Sequence, residues 1–279
     1  MSPSQARTEL LRLLEQDARP FPIDRAALLL AVDEYPRLNP APYLARLDGY
    51  ALQVEAALPA GRAGEDPRRR LGILRRVLFE DESFHGDREN YFDARNSYLN
   101  EVLDRRLGIP ISLAAIIMAV AGRLGWPVAG VSFPGHFLVR YTHPDEVLAI
   151  DAFHGGLILG QEELEERWSM AASADAPSVE RMLEPATPRA ILIRMLENIR
   201  AVHRNNGQFE LAARATEKSM LLDPGNPRFS FDLAQFLIGA KDLPRAQQQL
   251  ERFVAEFPEL PAAREARRQL KLLQEGMED

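Results

Sequence analysis

From Ser4 to about Leu58 apolar residues recur at helical spacing, first as Leu10, Leu11, Leu13 and Leu14, then as Ala26 to Val32, then as Tyr43, Leu44, Leu47 and Leu52. Pro20, Pro22, Pro36, Pro40 and Pro42 divide this run into three helices, and Asp24 and Asn39 stand where side-chain caps of the second and third are expected. Beyond a Pro59 to Gly64 loop, Leu71, Leu74, Val77 and Leu78 share one face of a fourth helix over 67–82. Phe84 to Phe92 carries no period, and a further helix begins at Asp93 and carries Asn96 and Asn100.

At Gly108 the pattern changes. Pro110 suits the first helical position, and Leu113 to Leu124 is apolar almost without interruption, which predicts a buried helix ended by Gly125, Trp126 and Pro127. Val128–Phe133, Phe137–Tyr141 and Val147–Ile150 then read as three short strands rich in β-branched and aromatic residues, with turns at Pro134-Gly135 and Pro144-Asp145. His136 falls at the start of the second strand and Asp151 at the end of the third, where neighbouring strands could bring them together. After a turn at Phe153 to Gly156, a glutamate-rich helix spans 161–170.

Ala171 to Pro188 shows little periodicity and reads as a linker. From Ala190 the chain is helical again and repeats, since Ala212 and Pro224 recur 34 residues later as Ala246 and Pro258. That is the period of a tetratricopeptide unit, in which a small residue lets two helices approach closely and Pro ends the second. Arg200 and Thr216 fit the first unit poorly, and a last helix covers 261–274. The expected division is therefore 1–170, a linker at 171–188, and helical repeats over 189–279. So short an array leaves apolar faces that call for cover from the first domain.

The 279 residues allow about two domains at ~100–200 residues each, and 46% hydrophobic with 27% charged residues is the balance of a soluble globular protein. No apolar run approaches the ~20 residues of a membrane span, and the first residues lack the pattern of a signal peptide, so a cytoplasmic protein without membrane contact is expected. A net charge of −7 argues against nucleic acid, and Arg68, Arg69, Arg70, Arg75 and Arg76 can pair with Glu80, Asp81 and Glu82 on a solvated helix face. Cysteine is absent, which excludes disulfides, thiolate metal sites and a Cys nucleophile.

NSYLNEVLDRRLGIPISLA, FPGHFLVRY and IDAFHGG resemble the bacterial SirB-type family, in which a transglutaminase-like domain precedes tetratricopeptide repeats. The resemblance implies an α+β fold: a helical subdomain and a papain-like core with a small antiparallel sheet, followed by an all-α repeat domain. It places His136 and Asp151 on the family's His and Asp positions, and it puts Pro110 where the superfamily's nucleophilic Cys stands. Ser112 is the nearest hydroxyl to that position.

Two functional readings follow. In the first, the chain is a non-catalytic binding or regulatory module with a protein partner. In the second, it is a serine-type hydrolase or acyltransferase using Ser112, His136 and Asp151. The His136–Asp151 pair suits either a stable polar contact or general-base chemistry. Asn96, Asn100, Gly108, Pro110, Pro134 and Gly135 are read as cleft or structural positions, Arg105 and Arg106 as structural, and His154 is given no catalytic role. The spacing of His136, Asp151 and His154 matches no ligand signature, so no metal or cofactor is expected. Oligomeric state is left open.

Overall fold

Helix α6 (Pro110–Arg123) is apolar on every side because it is covered on every side: Pro110 to Ile117 and Ala119 to Ala121 are all buried. In this computed structural model, which describes residues 1–16, 20–61, 66–133, 136–171 and 178–275, α6 packs on one side against α2 (Ile23–Ala31), α3 (Pro40–Ala57) and α5 (Leu99–Arg105). Its other side lies against β3 (Val128–Val131) and β4 (Leu138–Thr142). Helix α1 (Pro3–Glu15) packs on α2.

Asn39 caps α3 by accepting the Ala41 N–H. Asp24 does not cap α2. It lies inside the first turn, buried, with its carboxylate 2.8 Å from Nη1 of Arg123 at the far end of α6. The fourth helix is two elements, α4 (Pro67–Arg75) and a π-helical turn over Arg76–Asp81, and its apolar face runs through both. The helix expected from Asp93 is also divided. The Asp93 side chain caps a short 3₁₀ turn, Ala94–Asn96, and α5 starts afresh at Leu99. Arg106, at φ 63°, ends α5 in the left-handed region.

Two very short strands escape any period. β1 (His85–Gly86) and β2 (Leu107–Gly108) form a parallel pair with Gly86 opposite Gly108. The main sheet is an antiparallel meander, β3-β4-β5-β6, with β5 at Val147–Asp151 and a fourth strand β6 at Leu157–Leu159, between the turn expected at Phe153–Gly156 and the helix expected from Gln161. Val131 pairs with Leu138, Val139 with Ile150 and Asp151 with Leu157.

Val131, Phe133, Leu138, Ala149 and Leu159 form one cluster with Leu164 of α7 (Gln161–Ala171) and Leu183, with Val179 and Met182 of α8 (Val179–Met182) packed against it. Of the expected linker, residues 172–177 lie outside the described residues, but the rest is not free. The Ala186 N–H bonds the Gly130 carbonyl at 2.8 Å, and Nη1 of Arg140 reaches the Leu183 carbonyl at 3.2 Å. Val179, Met182 and Leu183 are too few to show a period, yet they are enough to cover a sheet face. Residues 62–64 of the expected Pro59–Gly64 loop also lie outside the described residues.

The chain forms two compact units, Met1–Leu192 and Ile193–Asp279. The second contains most of α9 (Pro188–Asn205), then α10 (Phe209–Leu222), α11 (Pro227–Gly239), α12 (Leu243–Glu256) and α13 (Pro261–Glu275). Ala212 and Ala246, the repeated small residues, are fully buried in one hairpin core with Leu233, Phe236 and Leu237. The misfits are accommodated locally: Arg200 lies over the Phe229 ring at 5.3 Å and beside Asp232 at 3.3 Å, and Thr216 returns its hydroxyl to the Ala212 carbonyl at 2.8 Å. Among the described residues, no helix is long and apolar enough to cross a membrane.

Candidate functional site

Asp151 ends β5 and is completely buried, so its carboxylate must find donors within the protein. It finds three side chains. Nε2 of His136 lies 2.6 Å from Oδ1, Nδ1 of His154 lies 2.8 Å from Oδ2, and Nη1 of Arg167 donates to Oδ2 at 2.9 Å. The His154 N–H also donates to Oδ1, at 3.2 Å. Burial pushes the Asp151 carboxyl upward, but the hydrogen bonds and charge of His136, and then of His154, outweigh it and hold the group well below the usual carboxylate range.

Chain geometry brings these groups together. Antiparallel pairing of β4 with β5 sets His136, two residues before β4, beside the end of β5. The turn after Asp151 brings the His154 main-chain N–H and ring onto the carboxylate, and Gly155 and Gly156, both near φ 70°, carry the chain on towards β6. Arg167 follows Leu164 by three residues on α7, so both point to the same sheet face. The His136 and His154 rings sit 5.5 Å apart at a 33° tilt, with Phe153 edge-on to each. The nitrogen and oxygen atoms that His136, Asp151 and His154 offer all lie within 4.8 Å of one another.

A cavity of about 600 Å³ opens beside the group, lined by His85, Asp87, Asn90, Leu107, Phe153 and His154 among others. Tyr91 stands at 5.7 Å from Phe153 and 5.3 Å from the exposed Phe92, so aromatic surface adjoins it. The loop behind this wall is held by a buried network. Asp87 accepts the Asn90 N–H at 2.8 Å, the Asn96 amide at 3.1 Å and Nη2 of Arg105 at 3.4 Å, while Nη1 of Arg105 donates to Oδ1 of Asn96 at 3.0 Å.

Ser112 is elsewhere in its bonding. Buried at the third position of α6, it donates its hydroxyl to the Asn96 carbonyl at 2.7 Å and contacts the Ile109 carbonyl at 3.1 Å. Its oxygen also accepts the Ile109 N–H at 3.0 Å. No hydrogen bond joins Ser112 to His136. Pro110 occupies the first position of α6, where its missing N–H costs nothing, and a Cβ on Gly108 would lie 2.8 Å from the Ser112 hydroxyl oxygen. Asn100 is buried with Oδ1 unbonded. Arg106 pairs with Glu82 at 2.8 Å and lies over the Phe84 ring at 4.9 Å, and so is occupied structurally. Pro134 and Gly135 lie outside the described residues.

From the sequence His136 and Asp151 are expected together, whereas His154 is expected to have no catalytic role and enters only a ligand set without a known spacing, and Arg167 and Asp87 give no signal. His154 stands three residues after Asp151 before two glycines, a spacing that can close a turn onto a carboxylate. Arg167 had no comparable signal within its glutamate-rich helix.

A buried helix against an antiparallel sheet, a histidine–carboxylate pair at adjoining strand ends and helical hairpins at the C-terminal side define a papain-like core joined to a repeat module. The transglutaminase-like superfamily model matches residues 41–197, and a tetratricopeptide repeat model matches 204–270. A UPF0162 protein of Xylella fastidiosa (strain Temecula1) is 37% identical over 247 residues, covering 87% of this chain and 86% of its own. A UPF0162 protein of Pseudomonas aeruginosa is 32% identical over 224 residues, covering 80% and 78%. F-box only protein 21 of Homo sapiens shares 40% identity over 83 residues, 30% of this chain and 13% of that one. No solved structure matches. The chain belongs to the transglutaminase-like superfamily and to the UPF0162 family.

Proposed function

We propose that the chain is a non-catalytic binding or regulatory module of the SirB type, acting in the cytoplasm. The helical repeats take a protein partner, and the transglutaminase-like domain offers a cleft whose histidine–carboxylate pair is retained without a nucleophile. Neither nucleic acid nor a membrane is its ligand. The observation that carries this reading is the bonding of Ser112, whose hydroxyl is buried and given to backbone carbonyls rather than to His136. A hydroxyl needs a correctly placed base to act as a nucleophile, and the Cys that would need less help is absent from the sequence. Pro110, at the first position of α6, offers no nucleophilic group. The repeats support a partner-binding role because stacked helical hairpins present extended surfaces for other chains.

The test compares the parent protein with Ser112→Ala and His136→Ala on a fluorophosphonate probe and a panel of amide and ester substrates. The expected outcome is no labelling and no turnover in any of them. Labelling or turnover that disappears in both variants would overturn the reading and establish the hydrolase or acyltransferase.

A further inference from the structure

The histidine–carboxylate group has more members than a dyad needs. In a dyad the carboxylate orients one imidazole, whose other nitrogen does the chemistry. Here Asp151 is approached by two imidazoles, one on each oxygen, and both present ring nitrogens to the same buried carboxylate. Two imidazole nitrogens and a carboxylate oxygen are the donors that borderline metals such as Zn²⁺ and Co²⁺ prefer. We propose that His136, Asp151 and His154 form a binding site for a single divalent transition-metal ion of the Zn²⁺ class.

The distances fit such an ion. Bonds of ~2.0–2.1 Å in a tetrahedral shell place neighbouring donors ~3.3 Å apart. The two His–carboxylate contacts, at 2.6 and 2.8 Å, are somewhat shorter than this, and no pair of donors exceeds 4.8 Å. Loading therefore needs the tautomer of each neutral imidazole that carries its proton on the ring nitrogen facing away from Asp151, and the triangle to adjust by about 1.5 Å at most, a comparison of those separations with the shell's ~3.3 Å.

The outer supports are in place. The His154 N–H on Oδ1 and Arg167 on Oδ2 fix the plane of the carboxylate, as ligating carboxylates are fixed elsewhere. Arg167 also opposes the incoming positive charge, which makes this a weaker site than one closed by four protein donors. Three protein donors leave a tetrahedral ion one position, and His154 itself lines the cavity of about 600 Å³. A bound ion would give that cavity a centre for an oxygen- or nitrogen-donor ligand.

The experiment uses the untagged full chain, stripped with a chelator and titrated with Co²⁺ by visible absorption and with Zn²⁺ by calorimetry. One equivalent should bind with the ligand-field bands of a low-coordinate ion. His136→Ala and His154→Ala should each lose those bands and weaken binding by roughly 100-fold or more, whereas His143→Ala and His203→Ala should behave as the parent. The His154 side chain is 42% exposed, so His154→Ala should keep its fold by circular dichroism and decides the matter even if His136→Ala does not fold. Failure of the parent to bind one equivalent of either ion, or unchanged affinity in folded His154→Ala, would overturn the proposal and leave a hydrogen-bonded cluster only.

Discussion

The Ser112 hydroxyl donates to the main-chain carbonyl of Asn96 across 2.7 Å, tying the first turn of α6 to the segment that leads into α5. Because Ser112 also accepts the Ile109 N–H at 3.0 Å, one side chain satisfies both a buried donor and a buried acceptor. Ser112→Ala is expected to strand both groups and to destabilise the protein by about 1–3 kcal/mol in denaturant unfolding. A midpoint equal to that of the parent would show that the hydroxyl is not structural.

Arg105 is the cation nearest the buried Asp87, and it also holds the Asn96 amide oxygen. Removing one partner of a fully buried ion pair costs ~3–5 kcal/mol; Asp87 keeps bonds from Asn90 and Asn96 here, and Arg105 is partly exposed, so about 2 kcal/mol is expected for Arg105→Ala. Since the Asp87 loop lines the cavity, the same variant should speed protease cleavage within residues 85–92. Unfolding curves and timed proteolysis check the two effects separately.

What could be read in advance followed the periods. Helix α6 and strands β3 to β5 announce themselves because nine consecutive apolar residues, Leu113 to Ala121, or short runs rich in β-branched and aromatic residues leave a pattern, and His136 and Asp151 were placed by those strands. β1 and β2 are two residues long and have no period to show. Asp24 looked like a cap because its pairing with Arg123 spans nearly a hundred residues of sequence, which no local rule senses. His154 was denied a role and Arg167 missed for a similar reason: each is an ordinary turn or helix residue until the buried carboxylate of Asp151 gives it a partner. Leu183 likewise belongs to an aperiodic stretch and becomes core only because a sheet face lies beneath it.

Asp93 supplies a pH dependence away from that group. The Arg95 side chain bonds it at 2.6 to 3.1 Å, and chiefly for that reason its carboxyl lies below the usual carboxylate range. A carboxyl with a folded pKa lower than its unfolded one binds fewer protons when folded, so its stabilisation is complete above an unfolded value of ~3.9 and is lost as pH falls through the folded value. Asp93→Asn keeps a good N-cap and removes only the charge. The variant should be less stable than the parent at neutral pH, with the gap narrowing as pH is taken well below about 4. Urea midpoints across that range measure it, and a gap independent of pH would contradict the assignment.

Gly86 offers the sharpest probe of how the site is braced. It pairs with Gly108 in the two-stranded ladder, and a Cβ there would lie 2.5 Å from the Phe153 ring and 2.7 Å from the Phe153 carbonyl. A ring can rotate away, but a main-chain carbonyl cannot move without the chain, and the chain at Phe153 carries His154 next. Gly86→Ala should therefore destabilise by about 1–3 kcal/mol through overpacking and should shift the His154 ring away from Asp151. Gly72 is the control, because a Cβ added there in α4 meets nothing within 4 Å and Ala is the better helix former by roughly 0.5–1 kcal/mol. The two alanine variants are expected to move the denaturation midpoint in opposite directions. Only Gly86→Ala should alter the imidazole resonances of His154, and unchanged resonances with unchanged stability would show that the ladder does not brace the Asp151–His154 turn.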